Sequence, residues 1–243
     1  MVILAYYSTM KNTIQDKHSL VNSVFSQVHN KYDLMNDIMS LGIHRIWKEK
    51  FIDWMSPGQY TKLIDVASGT GDIAMLFCDK TNHTGDVTCI EPNLDMLRQG
   101  EKKLKKIKKI QWVNATAEKI PIDDNTFDFY SISYGIRNVT NINDTLQEAF
   151  RVLKPGGRFM CLEFSKINNE ILKSLYENYS KAIPLIGKFI VGNDEPYKYL
   201  INSIQKFYNQ EELVAIMKKN GFSDIEYRNL SNGISAIHSG WKI

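Results

Sequence analysis

The chain has 243 residues, of which 43% are hydrophobic and 23% are charged. This composition is ordinary for a folded protein and excludes wholesale disorder, and the length is enough for one α/β domain with a few added helices. The net charge of +3 implies no general attraction to nucleic acid, so no nucleic-acid partner is predicted.

The cysteines, the histidines and the apolar runs exclude several further classes of protein and of site. Cys78, Cys89 and Cys161 are too few and too evenly spread for a disulfide framework or a zinc site, which favours a reducing compartment. The five histidines show no metal-ligand spacing, so no metal is predicted. No apolar run reaches the roughly 18 to 20 residues of a membrane span, and the N-terminus lacks the apolar core of a signal peptide. We therefore expect a cytoplasmic protein.

The N-terminal part divides into an extension and a helical segment. Residues 1–19 are predicted to be a disordered extension, and residues 20–243 a single domain. Over 20–55, apolar residues such as Val24 and Val28 recur at helical spacing. Because varied polar residues are interleaved with large apolar ones, we predict two or three helices that cover the functional site as a cap. The alternative is a packing layer whose aromatic residues are simply core.

The stretch 63–72, LIDVASGTGD, predicts a buried strand, a tight turn and the start of a helix. Gly69 and Gly71 permit backbone dihedrals that other residues avoid and leave room for a ligand against the backbone. The next acid at the end of a strand is Glu91, where it could bind a ribose diol. The first two strands therefore predict half of a nucleoside-binding site.

Two cofactor classes use such a turn. A dinucleotide fold requires Gly-x-Gly-x-x-Gly/Ala, which Gly69, Gly71 and Ala74 satisfy loosely. An S-adenosylmethionine fold has an acid before the glycines, and Asp65 stands there. A carboxylate suits a ligand that carries an amino group and a sulfonium, whereas it would repel a pyrophosphate, so S-adenosylmethionine is favoured. A structural turn without a ligand is the remaining alternative.

Downstream, strand and helix patterns alternate regularly, and four successive βα units predict a parallel, doubly wound sheet. The further strands are predicted at 86–91, 110–113, 127–132 and 159–163, with helices from 93 and over 140–153. The lysine-rich end of the helix from 93 is interpreted as a solvated helix terminus. Loop 114–118 lies where an adenine ring would sit, and turn 133–138 should face the substrate because it follows a strand.

The C-terminal third is predicted to add elements outside the parallel units. They are a helical, substrate-side insertion over 168–206, a helix over 211–220, and an antiparallel strand pair over 223–229 and 234–241. The pair turns at Asn232 and Gly233, a typical hairpin dipeptide.

Two long motifs resemble one known family, the ubiquinone/menaquinone biosynthesis C-methyltransferases. The motifs are Y32-D-x-M-N-x-x-M-S-x-x-x-H-x-x-W47 and R151-V-L-K-P-G-G-x-F-x-x-L-E-x-S165. Similarity continues through 135–139, 197–200 and 233–238. The resemblance implies the class I methyltransferase fold: a mostly parallel seven-stranded sheet with helices on both faces, an N-terminal helical cap and an antiparallel C-terminal strand.

The resemblance also implies the cofactor positions. These are Thr70 in the turn, Glu91 at the ribose, Thr116 and Ala117 by the adenine, and Ser133. This sequence departs from the family at three places, with Ser68 for glycine, Glu91 for aspartate and Thr116 for asparagine or aspartate. Glutamate keeps the charge at the ribose, whereas threonine has a shorter reach toward the adenine.

The activity implied is methyl transfer from S-adenosylmethionine to a ring carbon of a polyprenylated quinol. The substrate would be 2-methoxy-6-polyprenyl-1,4-benzoquinol, demethylmenaquinol or both. Such chemistry must stabilise a phenolate-like oxygen and remove a ring proton. Arg137, with Asn138, is the first candidate for these tasks, and Tyr32, Asp33 and His44 are second candidates. For Arg137, the alternative is a salt bridge that holds its own loop.

Two other functions stay open at this point. One is a nicotinamide-dependent oxidoreductase, and the other is a non-catalytic component of a quinone-synthesis assembly. Partners implied by the resemblance are the quinol itself, a peripheral contact with the membrane, and either a homodimer or a quinone-synthesis complex.

Overall fold

The computed structural model describes residues 37, 40, 42–167 and 195–243. Its helices, numbered here in chain order, are α1 His44–Met55, α2 Asp72–Lys80, α3 Leu94–Leu104, α4 Ile142–Val152, α5 Glu195–Lys206 and α6 Gln210–Lys219. Its strands are β1 Lys62–Val66, β2 Asp86–Ile90, β3 Ile110–Val113, β4 Phe127–Ser133, β5 Leu153–Phe164, β6 Ser223–Leu230 and β7 Ser235–Trp241.

The seven strands form one sheet in the order β3-β2-β1-β4-β5-β7-β6. The strands from β3 to β5 pair in parallel, and β7 runs antiparallel to both of its neighbours. The class I architecture and its antiparallel C-terminal strand are therefore confirmed. The turn between β6 and β7 uses left-handed dihedrals at Asn232 (φ 57°) and Gly233 (φ 95°), as the dipeptide predicts.

Two hydrophobic cores lie on the two faces of the sheet, because side chains alternate along each strand. On β1, Ile64 belongs to the core that contains α4 and α6, whereas Leu63 belongs to the core that contains α1 and α2. On β5, Phe159 and Met160 divide in the same way. Helices therefore cover both faces, as the doubly wound prediction requires.

The start of β5 differs from the prediction. The sequence predicts that the stretch 154–157 ends the preceding helix before a strand at 159, but β5 already begins at Leu153. The register against β4 shifts there, with Phe127 opposite Leu153 and Phe129 opposite Arg158. The early start corresponds to the pairing of Leu153 with Phe127 of β4, and further along Gly156 N donates to Lys242 O at 2.7 Å. This long-range pairing is invisible to local periodicity.

Several predicted segments lie outside the described residues. These are the extension 1–19, most of the cap before residue 42, and residues 168–194 of the insertion. The parts that are described, α1 and α5, are helical as predicted. The division into one domain with a cap and an insertion stays a prediction. No helix in the described parts is long and apolar enough to cross a bilayer.

Candidate functional site

The turn between β1 and α2 is built from three left-handed residues. Ala67, Gly69 and Gly71 have φ values of 51°, 57° and 84°. A left-handed alanine costs about 1–2 kcal/mol, so the surrounding contacts must hold it in place. Gly71 N donates to Ser68 O at 2.9 Å and closes the turn. The chain therefore leaves β1 in a sharp, fixed loop that leads directly into α2.

The two glycines of this turn have different neighbours. A Cβ on Gly69 would meet only the terminal carbon of Met96, at 3.2 Å. A Cβ on Gly71 would lie 2.6 Å from Leu104 Cδ1 and 3.0 Å from the Trp112 ring. The space expected for a ligand is thus present at Gly69, whereas at Gly71 the side chains of the sheet and α3 fill it.

A pocket opens at this turn, between the ends of β1 and β4, and contains about 370 Å³ of empty space including its mouth. Four predicted cofactor residues line it: Asp65, Gly69, Thr70 and Ser133. The others are absent from its lining: Gly71, Glu91, Thr116 and Ala117. The lining also includes Lys48 and Asp72, which the sequence did not single out.

Asp65 places a buried carboxylate in the pocket wall, with only 1% of the residue exposed. Its Oδ1 accepts a hydrogen bond from Ser131 Oγ at 2.7 Å, while its Oδ2 has no partner within the described chain. Burial raises the pKa of Asp65 to about 7, although nearby Lys48 acts in the opposite direction. A buried carboxylate oxygen without a partner suits a cationic ligand group.

Ser133 supplies a second polar atom without a hydrogen-bond partner from the described chain in the same pocket. It ends β4, and its Oγ is buried without a partner among the described residues. Two unsatisfied polar atoms beside an open face of Gly69 are unusual in a folded interior, where buried polar groups are normally hydrogen-bonded. The residues present therefore fit a small polar, cationic ligand such as the amino-acid end of S-adenosylmethionine.

Lys48, Asp72 and Lys103 form a charged cluster at the pocket rim. The ammonium groups of Lys48 and Lys103 lie 2.7 and 2.5 Å from the two carboxylate oxygens of Asp72. Burial acts to raise the pKa of Asp72, but the two cations hold it well below its usual range. Lys103 also reaches Thr70 Oγ1 at 3.5 Å. Lys48 could have been suspected, because it falls on the buried face of a predicted helix.

Glu91 ties the glycine turn to the start of α3. It follows β2, and its Oε2 accepts from Gly69 N at 2.8 Å while its Oε1 accepts from Asn93 N at 2.9 Å. Burial raises its pKa to about 7, and the two backbone donors oppose this shift. Each carboxylate oxygen retains a further lone pair, so a ribose contact is compatible with this arrangement.

The predicted adenine-side residues lie in the loop that follows β3. Thr116 is half-buried and pairs with Lys119 in an isolated β-bridge. Ala117 is buried and belongs to the core that contains α4. Neither residue lines the pocket at the β1 turn, so their role toward a cofactor stays a prediction.

Arg137 lies in the short 3-10 helix after β4, Ile136–Asn138. Its Nη1 is 2.7 Å from Glu163 Oε1, and the two side chains are 5% and 2% exposed. Nη1 also donates to Tyr134 O at 2.6 Å, whereas Nε is buried without a partner within the described residues. The salt bridge considered as an alternative is thus present, and it leaves Nε as a buried donor without a partner in the part of the chain that the structure describes.

Of the remaining catalytic candidates, Asn138 shares the 3-10 helix with Arg137, and His44 begins α1. Asn138 Oδ1 accepts from Tyr199 OH on α5 at 3.1 Å, which places α5 beside the 3-10 helix. His44 is buried, lies 2.9 Å from Asp37 Oδ1 and does not line the pocket. Burial lowers the pKa of His44 and favours its neutral form.

Tyr32 and Asp33 lie outside the described residues. No group of metal-ligating side chains occurs among the residues that are described.

Comparisons with known proteins agree with this geometry. A ubiquinone/menaquinone biosynthesis C-methyltransferase from Rickettsia bellii is 49% identical over 235 residues, which cover 94% of each chain. A SAM-dependent methyltransferase from Aquifex aeolicus shares the fold with a TM-score of 0.60, at 18% identity over 81% of this chain and 89% of that one. A Haemonchus contortus phosphoethanolamine N-methyltransferase, in complex with S-adenosyl-L-methionine, has a TM-score of 0.61 at 14% identity, over 81% of this chain and 52% of that one.

The family model decides the assignment, since it describes the ubiE/COQ5 methyltransferase family and matches residues 11–242. Nearly the whole chain is covered, from before the predicted cap to the last residues of the sheet. Neither a nicotinamide-dependent oxidoreductase nor a non-catalytic role gains support from these matches. The chain belongs to the ubiE/COQ5 methyltransferase family.

Proposed function

We propose that this protein is the S-adenosylmethionine-dependent enzyme that methylates a ring carbon of a polyprenylated quinol in ubiquinone and menaquinone biosynthesis. Family membership supports the reaction class. One structural observation on the described residues supports the site: the neighbouring ends of β1 and β4 carry a pocket with an unpartnered carboxylate oxygen and a buried arginine with an unused donor. Ligands of open α/β sheets bind at the carboxyl ends of strands.

The residues at the end of β1 would hold the cofactor. Asp65 would receive its ammonium group, and Glu91 its ribose diol. The backbone of the turn at Gly69, Thr70 and Gly71 would follow the ligand, with Ser133 beside it. Thr116 and Ala117 would flank the adenine. When bound, S-adenosylmethionine supplies an electrophilic methyl group on a sulfonium.

The residues after β4 would act on the quinol. Its ring carbon becomes nucleophilic as an ortho or para hydroxyl loses its proton, and a negative charge develops on that oxygen. Arg137 would donate to this oxygen through Nε, the donor that the ion pair leaves unused. A guanidinium stays protonated at any working pH, so this donor is always available. Asn138 would help to position the ring, supported by Tyr199.

The ring carbon must then lose its own hydrogen as a proton, which restores the aromatic ring after the new carbon–carbon bond has formed. Tyr32, Asp33 and His44 stay the candidates for the base or for ordering a water that takes this proton. His44 meets one requirement, because its lowered pKa keeps it neutral near pH 7.

Product identification tests the proposed reaction. The purified protein would be incubated with methyl-labelled S-adenosylmethionine and short-chain benzoquinol or naphthoquinol acceptors. We expect label in a product methylated on carbon, with the benzoquinol preferred. Cells that lack the protein should accumulate the corresponding demethylated intermediate. Label on oxygen or no transfer to either ring would contradict the proposal, and binding of NAD in place of S-adenosylhomocysteine would favour the oxidoreductase.

A polyprenylated acceptor also implies contact with a membrane, since its tail is insoluble in water. We expect the protein to bind the bilayer peripherally, and to act as a homodimer or within a quinone-synthesis complex. Flotation with liposomes that contain the acceptor, followed by sizing of the bound protein, would measure both properties. Full recovery of a monomer from the liposome-free fraction would contradict them.

A further inference from the structure

We propose that Lys48 binds the carboxylate of the cofactor's amino-acid end, opposite Asp65, which takes the ammonium. This assignment rests on the use of S-adenosylmethionine and not on the identity of the quinol. Its basis is a pocket that contains both a carboxylate oxygen without a partner in the described chain, Asp65 Oδ2, and the ammonium group of Lys48, which has unused donors. Lys48 belongs to α1, so the cofactor would be recognised by a residue outside the glycine turn.

Lys48 has unused hydrogen-bonding capacity in a buried position. Its side chain is only 10% exposed and lies in the pocket lining. An ammonium group has three donors. Within the described chain, its one hydrogen bond goes to Asp72 Oδ2, at 2.7 Å. Because buried lysines are costly unless their donors are used, a further acceptor in the pocket would complete this site.

The charges around Lys48 favour an anionic acceptor. Two ammonium groups, those of Lys48 and Lys103, share the single carboxylate of Asp72. This arrangement leaves an excess of one positive charge at the rim. The same pocket contains the oxygen of Asp65 that is unpartnered among the described residues. A negative and a positive group in one small pocket match an α-amino acid, whose ammonium and carboxylate are attached to the same carbon.

Matched ligands can isolate the carboxylate contact. Isothermal titration would compare S-adenosylhomocysteine, its decarboxylated analogue that keeps the amino group, and methylthioadenosine, which lacks the whole amino-acid end. The wild-type protein should bind S-adenosylhomocysteine about 10- to 100-fold more tightly than the decarboxylated analogue, the range for hydrogen bonds to charged groups. Equal binding of these two ligands would overturn the proposal without any variant.

Variants then assign the contact to one residue. Lys48→Gln should lose most of this discrimination and bind methylthioadenosine nearly as the wild type does. Lys103→Gln is the control, because Lys103 contacts the same Asp72 but does not line the pocket. It should keep the discrimination. The proposal fails if Lys48→Gln weakens the binding of all three ligands by the same factor, or keeps the wild-type ratio of their affinities. Lys48 would then only join α1 to α2.

The same titrations separate this proposal from the proposed function. Lys48→Arg keeps the charge and should retain at least part of the discrimination if Lys48→Gln proves unstable. A protein that discriminates as expected yet methylates neither quinol would contradict the proposed substrate and support the role of Lys48. A protein that methylates a quinol but binds both amine-bearing ligands equally would do the reverse.

Discussion

Arg137 forms a buried ion pair with Glu163 and is also the proposed catalytic donor, and paired substitutions can measure each role separately. Arg137→Ala would leave the carboxyl group of Glu163 without its cation in a site where its side chain is 2% exposed. Removing one partner of a buried pair costs about 3–5 kcal/mol. For a chain of this size, each kcal/mol lowers Tm by about 2–4 °C, so we expect Tm to fall by about 6–20 °C.

A double variant removes the structural penalty. Arg137→Met combined with Glu163→Gln leaves no buried charge, and neutral replacement of a buried pair is often close to neutral in stability. The glutamine also keeps an acceptor for Phe164 N, which donates to Glu163 Oε1 at 2.8 Å. Tm should therefore return close to the wild-type value, as measured by thermal unfolding.

Activity should not return with stability. The double variant still lacks the guanidinium, and loss of one such preorganised donor costs about 10²–10³ in turnover. Turnover of a short-chain quinol would be measured with saturating cofactor, well below the lowest Tm of the set. Arg137→Lys keeps the charge beside Glu163 but not the planar geometry of the guanidinium donors. This variant should therefore be stable and have a low turnover. Near-normal turnover in the double variant would refute the catalytic role and leave Arg137 as a structural residue.

Three further outcomes concern the glycine turn and the two acids beside it. Glu91→Ala should weaken the binding of S-adenosylhomocysteine by about 1.5–3 kcal/mol, as measured by titration. An unchanged Kd would assign the ribose contact to another acid. Gly71→Ala should destabilise the fold by about 2–5 kcal/mol, through backbone strain and overpacking. This loss should exceed that of Gly69→Ala. A lower Tm for Gly69→Ala than for Gly71→Ala would contradict the packing at this turn. Because the pKa of Asp65 rises from 3.8 to about 7 on folding, the ligand-free protein should lose stability as pH rises from about 4 to 7. Because burial also raises the pKa of Glu91 to about 7, Asp65→Asn should remove only part of this dependence, and a profile parallel to that of the wild type would show that Asp65 does not contribute.

The pocket brings together some of the residues that the sequence predicts for the cofactor site, and the functional assignment of these residues stays a prediction. Asp65 and Gly69 meet as predicted, because a strand end and the turn that follows it are adjacent in the chain. Glu91 joins them through β2, whose parallel pairing with β1 brings its carboxyl end to the same edge. The sequence does not single out Lys48, because its proposed role depends on how α1 packs against α2, and helical spacing shows only that it faces inward.

Features that depend on neighbouring residues could be predicted from the sequence: the alternation of strands and helices, the glycine turn and the hairpin at Asn232 and Gly233. The partners of side chains that are distant along the chain became known only from the folded structure. Arg137 meets Glu163 because β4 and β5 are adjacent in the sheet. Likewise, β5 begins early where Leu153 pairs with Phe127 of β4, and Gly156 then contacts Lys242 near the C-terminus. Such contacts depend on strand order and packing, which local periodicity does not encode.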